Sequence, residues 1–374
     1  MIALTLFGFG MLVYLYGGYA LLLRLLVRGS PVCHDTAVDT QNWPTLTVLI
    51  TVYNESEKIE ARIRNILDCE YPQDKLKILV ASDGSSDGTD AIVIGLSNFH
   101  VKLFRPADRK GKTDTQNQAI LSATGDIIVF TDADTRFDSQ FLKEIARPFA
   151  DPQVGGVDGN LLFLTETADG VSQSQGFYWS QELQIRQNES RLGMLAVASG
   201  ACMAIRRRLF RPMLATVGED CLIPLDVVDQ GFRMVHADKA LAFDRMEHDP
   251  KKEFKTRVRM TLRNWQGTWC YSHLLNPLRQ PRIAFALWSH KILRWLSPIF
   301  LLMWLSGSAA DVQQGYWGLF AGTPGLLFMV AALLGFVRAP LLGASMAYSF
   351  CLANTGFLVG VARAILGHKI NAYR

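Results

Sequence analysis

Between residues 45 and 135, short β-rich runs alternate with longer helical stretches. This restricts the segment to a mostly parallel sheet, because parallel neighbours need a crossover between them. The runs are Leu46–Val52, Leu76–Ala81, Val101–Phe104 and Asp126–Phe130; the stretches Glu55–Cys69, Asp87–Leu96 and Lys112–Ser122 predict the helices. Ligands of open α/β sheets bind beyond the carboxyl ends of the strands. Three polar clusters fall there: Tyr53-Asn54-Glu55, the run Ser82 to Gly88, and Asp132-Ala133-Asp134. The block from 151 to 262 is less regular, holds Gly218-Glu219-Asp220, and is read as completing the same domain.

The two ends of the chain have a different character. Of 374 residues 49% are hydrophobic, and the excess is concentrated at the ends. Ile2 to Leu23 carries no charge and is long enough, at 1.5 Å per residue, to cross a hydrocarbon core of about 30 Å. Arg24 and Arg28 follow the apolar run, whereas a cleaved signal peptide has its charge in front, so the segment predicts an uncleaved anchor. The positive-inside tendency then places residues 24 onward in the cytoplasm and the N-terminus outside.

Three more hydrophobic stretches follow, 283–307, 316–337 and 339–363. The first contains His290, Lys291 and Arg294, so it begins as an amphipathic interfacial helix or crosses outright. Three crossings would put Arg363, His368, Lys369 and Arg374 outside, so either one stretch does not span or the charge rule fails. The resulting division is a membrane helix over 1–28, an α/β domain over 29–270, and interfacial and membrane helices over 271–374.

The net charge of +4 is modest and clusters only from Lys251-Lys252 to Arg263, which points to a membrane surface rather than to nucleic acid. The six cysteines include no C-x-x-C pair and no regular spacing, so neither a zinc site nor a disulfide framework is expected, and reduced thiols fit a cytoplasmic domain.

The D-x-D pair Asp132/Asp134 directly follows an apolar strand. Mg²⁺ and Mn²⁺ bind through one or two carboxylates together with substrate phosphate oxygens, so this placement suits a metal–diphosphate site; a solvated strand end has the same sequence. Gly111-Lys112-Thr113 is not a P-loop, because the first glycine of that motif would fall on Pro106.

Together, Thr51-Val52-Tyr53-Asn54-Glu55, Ser82 to Thr89, Thr131 to Asp134 and Gly218-Glu219-Asp220 resemble the ordered motifs of membrane-anchored family 2 glycosyltransferases, relatives of the cellulose, chitin and hyaluronan synthases. The resemblance runs from about residue 45 to 270. It implies a GT-A fold, a Rossmann-like α/β domain with a mixed, mostly parallel sheet, here flanked by transmembrane helices. It also implies inverting transfer from a nucleotide sugar with Mg²⁺ or Mn²⁺.

By that likeness Tyr53 stacks on the uracil of a UDP-sugar, Glu55 bonds the ribose hydroxyls, Asn54 belongs to the same donor-binding set, and Asp83 holds the base edge, although a plain Asp-Gly turn would also account for Asp83. Asp132 and Asp134 hold the metal. Lys112 approaches the donor phosphates or is solvated. Gly200, Ala201 and Cys202 line the acceptor pocket, or belong to a tightly packed strand. Glu219-Asp220 resembles the T-E-D motif, with Gly218 in place of the threonine, and makes Asp220 the general base.

Arg263 and Trp265 stand where the family has Q-x-x-R-W. The glutamine is absent and Asn264 separates the pair, a departure that weakens the expectation of polymerisation. Arg263 pairs with the diphosphate and Trp265 stacks on a sugar, or both anchor an interfacial helix.

The expected activity is transfer of a hexosyl or N-acetylhexosaminyl group, on the cytoplasmic face of the cell membrane, to a lipid or lipid-linked saccharide. A processive synthase that exports a polysaccharide, a catalytically inactive nucleotide-sugar sensor and an anchored nucleotidyltransferase are the competing readings. They are separated by product length, absence of turnover and pyrophosphate release respectively.

Overall fold

The computed structural model describes residues 1–29, 42–97, 100–164, 170–245, 250–337, 339, 341 and 343–369. An eight-stranded mixed sheet is its centre. The strands are β1 (Leu46–Val52), β2 (Leu76–Ser82), β3 (Val101–Phe104), β4 (Ile127–Thr131), β5 (Arg136–Phe137), β6 (Val154–Leu164), β7 (Met203–Arg206) and β8 (Arg233–Arg245). Their order is β3-β2-β1-β4-β7-β6-β8-β5. The first four are parallel, and β7 lies antiparallel between β4 and β6. The irregular block from 151 onward therefore extends the same sheet.

β1 is buried on both faces. Leu46, Val48, Ile50 and Val52 pack with Ile59, Ile63 and Ile66 of the helix Ile59–Leu67, while Leu49 turns to Ala119 and Ile120 of the helix Lys112–Ile120. Each such side chain, fully removed from water, contributes about 1.5–3 kcal/mol. Helix Ile59–Leu67 begins later than the expected Glu55 because Asn54 adopts a left-handed conformation (φ 55°) and the Glu55 amide bonds to Thr89 Oγ1 at 2.9 Å. The chain leaves β1 in a turn rather than a helix.

The apolar ends fold together. Helix Ile2–Arg28 and helix Ser297–Asp311 run antiparallel: Thr5 donates to Asp311 (2.5 Å), the backbone of Phe300 and Trp304 approaches Gly8, and Tyr16 meets Ser297 (3.1 Å). Small residues permit this approach, as is usual between membrane helices. The stretch expected at 283–307 is two helices, Pro281–Trp295 and Ser297–Asp311, bent by 55°. Helices Ile2–Arg28, Gly315–Phe336 and Ala344–Ile365 are each long and apolar enough to span a membrane.

Helix Pro250–Cys270, which bears the basic cluster, lies on the last helix: Gly360 packs against Thr261 and Val258, and Gln266 Nε2 donates to the His368 carbonyl at 2.7 Å. The end of the last helix therefore lies against helix Pro250–Cys270.

Candidate active site

The carboxyl ends of β1, β2 and β4 open on one side of the sheet, and the loops leaving them are tied together. Asn54 Oδ1 accepts the Ser86 amide (2.9 Å) and its own amide donates to Ser85 Oγ (3.1 Å). Asp87 accepts from Ser56 N (3.0 Å) and from Thr89; the Thr89 and Ser56 hydrogen bonds hold its carboxyl below the usual carboxylate range.

Asp83, 4% exposed, receives the amides of Lys110 and Gly111 (3.0 and 3.1 Å) and the hydroxyl of Thr115 (2.9 Å) at the start of helix Lys112–Ile120. A carboxylate at a helix N-terminus is favoured there. Gly111 is at φ 93°, a conformation glycine adopts without strain. Asp83 is thus directed at the Lys110–Thr115 segment. Tyr53 is 40% exposed, and the Arg109 guanidinium lies over its ring, 3.6 Å from the centroid, so a cation covers one face of the ring expected to take a base. Glu55 pairs with Lys58 at 3.1 Å.

The loop after β4 meets helix Glu219–Asp229 through Lys112, whose Nζ is 2.6 Å from both Asp132 Oδ1 and Glu219 Oε1. Buried Arg62 fixes the strand end by donating to the Asp132 carbonyl (3.2 Å) and to Thr131 Oγ1 (2.7 Å). Asp134 is exposed. Asp244, at the end of β8, was not singled out from the sequence; burial and the negative charges of Asp134 and Asp132 push its carboxyl up to about 6. Among the described residues no three His, Cys, Asp or Glu side chains are grouped as a metal cage. Asp132 and Asp134 nevertheless suit a hard cation that takes its remaining ligands from water and phosphate.

Behind this edge is a cavity of about 250 Å³. Lys112, Asp132, Gly200, Ala201, Glu219 and Asp220 line its sheet side, with Arg263 beside them. Two glycines stand close against these carboxylates. A Cβ at Gly200 would stand 2.8 Å from Glu219 Oε1, and one at Gly218 would meet Asp220 Oδ1, so a larger residue at either position would shift the neighbouring carboxylate. Burial would raise the Glu219 carboxyl, but the charge and hydrogen bond of Lys112, then Arg263, hold it below the usual range. Burial and the adjacent Glu219 charge raise the Asp220 carboxyl. The two neighbouring carboxyls are therefore pushed apart in proton affinity, an arrangement suited to acid–base work.

Two expected cavity residues lie elsewhere. Cys202 is fully buried in the sheet core, where its carbonyl accepts the Gly159 amide at 2.8 Å. Trp265 packs with Trp269 and Trp295 at centroid distances of 5.7 and 6.1 Å, and its neighbour Asn264 faces the cavity instead. Arg263 donates to Thr113 Oγ1 (3.3 Å) at the foot of the Lys112 helix.

The far wall contains residues that sequence reasoning did not assign to the site: Arg186, Arg259, Lys291 and Trp295. A buried ionic cluster supports it. His290 lies between Glu182 (2.9 Å) and Glu189 (2.9 Å), Arg294 reaches Glu182 (2.8 Å), and Tyr19 of the first helix donates to Glu189 (2.7 Å). Arg186 joins Glu182 (3.1 Å) to Asp158 (3.3 Å), which also accepts the Ser199 amide (2.8 Å) next to Gly200. The charges at His290, Lys291 and Arg294 were visible in the apolar stretch; their carboxylate partners, in a polar helix about a hundred residues earlier, gave no signal.

Residues 47–214 match the description "Glycosyl transferase family 2". An N-acetylglucosaminyltransferase of Rhizobium sp. (strain N33) is 25% identical over 252 residues, 63% of this chain and 55% of that protein, so the chain spans about half the length of this relative. Poly-beta-1,6-N-acetyl-D-glucosamine synthase of Staphylococcus aureus (strain COL) is 34% identical over 117 residues, 31% of this chain and 28% of that protein. In fold, the chain is similar to the mannosyltransferase PcManGT from Pyrobaculum calidifontis, solved in complex with GDP-Man and Mn²⁺: the TM-score is 0.72 at 22% identity, over 98% of this chain and 100% of that one. The motifs, the mixed sheet and the sequence match converge: the chain carries a glycosyl transferase family 2 domain on a GT-A fold, flanked by membrane-length helices.

Proposed function

We propose that this chain is a membrane-bound inverting glycosyltransferase that moves an N-acetylhexosaminyl or hexosyl group from a UDP-sugar to a hydroxyl of a lipid or lipid-linked saccharide, at the cytoplasmic face of the cell membrane. The observation that carries the reading is the junction of Asp132, Lys112 and Glu219-Asp220 at the edge of one cavity. Tyr53, Asn54, Glu55 and Asp83 border the nucleotide side in this reading, with Asp83 acting through the Lys110–Thr115 segment that it holds.

Asp220 takes the proton of the acceptor hydroxyl as that oxygen bonds to the anomeric carbon; the bond from that carbon to the diphosphate breaks, and its electron pair leaves with UDP. Its raised proton affinity makes it a stronger base than an ordinary carboxylate. Lys112 and Arg263 supply positive charge where the departing diphosphate gains negative charge. Asp132 and Asp134 would hold the divalent ion, Mg²⁺ or Mn²⁺, which supplies further neutralisation of the diphosphate when bound.

The test is UDP release by the detergent-purified chain with Mn²⁺ across UDP-sugars and membrane lipid extracts, with products sized by mass spectrometry. One added sugar is the expected product. A ladder of products would favour the processive reading, and UDP binding without release would favour a sensor.

A further inference from the structure

A buried carboxylate outside the cavity holds part of its wall. Residues 196–201 line the cavity, and the segment ends in a turn in which Gly200 lies against Glu219. The Cys202 amide closes the turn by donating to the Ser199 carbonyl at 3.1 Å. The turn is also pinned to the sheet along its length. The Ser199 amide donates to Asp158 Oδ1 (2.8 Å), Thr131 Oγ1 donates to the Ala201 carbonyl (2.8 Å), and the Gly159 amide donates to the Cys202 carbonyl (2.8 Å). Asp158 is the side chain that holds the entry.

Asp158 belongs to β6, has no exposed surface and does not itself line the cavity. A carboxylate in such a place is costly unless it is paired. Besides the Ser199 amide, its partners are the Arg186 guanidinium of helix Gly170–Arg191 at 3.3 Å and His236 Nδ1 at 2.9 Å, from the residue opposite it on β8. Burial would raise this carboxyl, but Arg186, then His236 and the Ser199 amide, hold it below the usual range. Arg186 is in turn fixed by Glu182 at 3.1 Å. An apolar residue at 158 would avoid the desolvation cost, yet it would leave the Ser199 amide without this acceptor.

The consequence falls on the reacting groups. Glu219 Oε1, which faces Gly200, is 2.6 Å from Lys112 Nζ, and Asp220 is the next residue in the chain. We propose that Asp158 is a positioning residue for transfer: through the Ser199 amide it sets Gly200 against Glu219, and thereby sets the Lys112–Glu219 contact and the place of Asp220. This rests on the glycosyltransferase reading above. A displacement of about 1 Å at reacting groups costs about 10²-fold in rate, so a side chain that never touches substrate is able to govern turnover.

The experiment measures UDP release by the full chain in nanodiscs, with UDP-N-acetylglucosamine, Mn²⁺ and a membrane lipid extract as the source of acceptor. Single turnovers with enzyme in excess keep slow variants readable. Asp158→Ala should lower the rate about tenfold or more, while UDP affinity measured by calorimetry stays within about threefold. Asp158→Asn, which keeps an oxygen for the Ser199 amide, should recover most of the loss. In a Glu219→Gln background the positioned contact is already weakened, so Asp158→Ala should cost less than about threefold there. A merely structural part would cost the same factor in both backgrounds. Where Asp158→Ala fails to fold because Arg186 is left without its partner, the double variant Asp158→Ala/Arg186→Met removes both charges and is read in its place. Turnover within about threefold of wild type, an equal loss in both backgrounds, or no recovery with asparagine overturns the assignment. UDP release by the wild-type chain from no UDP-sugar overturns the glycosyltransferase reading itself.

Discussion

Gly200→Ala tests whether Glu219 must sit where it does. The added Cβ would stand 2.8 Å from Glu219 Oε1 and 3.2 Å from its Cγ, and the same oxygen is 2.6 Å from Lys112 Nζ. Gly200 is not among the positive-φ glycines, so alanine meets a steric conflict rather than a backbone one. The added methyl presses on the end of the Glu219 side chain, and turning that carboxylate aside weakens its contact with Lys112. The side chains are 17% and 6% exposed, which makes the contact a partly shielded, charge-assisted bond of about 1.5–3 kcal/mol. At about 1.36 kcal/mol per decade, kcat/KM for UDP release should fall about 10- to 150-fold if the contact is needed in the transition state. In a Glu219→Ala background the same alanine has nothing to displace, so the two losses should not add. Activity of Gly200→Ala within threefold of wild type, or an equal loss in both backgrounds, would refute the reasoning.

Asp220→Asn should reduce kcat by roughly 10²- to 10⁴-fold with donor affinity retained, because base catalysis is lost while the nucleotide loops are untouched; a loss below tenfold removes Asp220 from that role. Because its carboxyl is raised, activity should fall on the acid side at a pH above the ordinary aspartate value. Glu219→Gln, by removing the neighbouring negative charge, eases ionisation of Asp220 and should move that limb to lower pH; a pH–rate profile that stays put contradicts the coupling. Chelation with EDTA should abolish UDP binding measured by calorimetry, Mn²⁺ should restore it, and Asp134→Ala should prevent the rescue; undiminished binding in EDTA is the opposing result. His290→Ala leaves Glu189 without its imidazole and should destabilise the protein by about 3–5 kcal/mol, read as a lower thermal midpoint in detergent; an unmoved midpoint would show that the cluster carries no stability.

The parallel half of the sheet was legible because β1, β2 and β4 are continuous apolar runs, and a strand buried on both faces needs such runs. β7 and β8 were not, since Met203–Arg206 is short and Arg233–Arg245 is interrupted by half-exposed polar residues. On the sheet side of the site, Lys112, Asp132 and Glu219-Asp220 were readable as motifs because one short segment supplies each. Gly200 was noticed for a different reason from the one the structure gives: its missing side chain makes room for Glu219. The part of the wall around Lys291 depends on contacts of His290 and Arg294 with residues more than a hundred positions earlier, and no local pattern encodes such a contact.

The ionic cluster also sets an order of assembly. Tyr19 and Glu189 are separated by 170 positions, and Glu182 waits 108 positions for His290. Closing such long loops is slow relative to local folding, and during synthesis the strands and helices up to residue 245 emerge before His290 exists. The part of the cavity lining supplied by Lys291 and Trp295 is consequently the last to form. A chain whose later helices have not yet docked holds a finished set of β1, β2 and β4 loops facing an incomplete cavity.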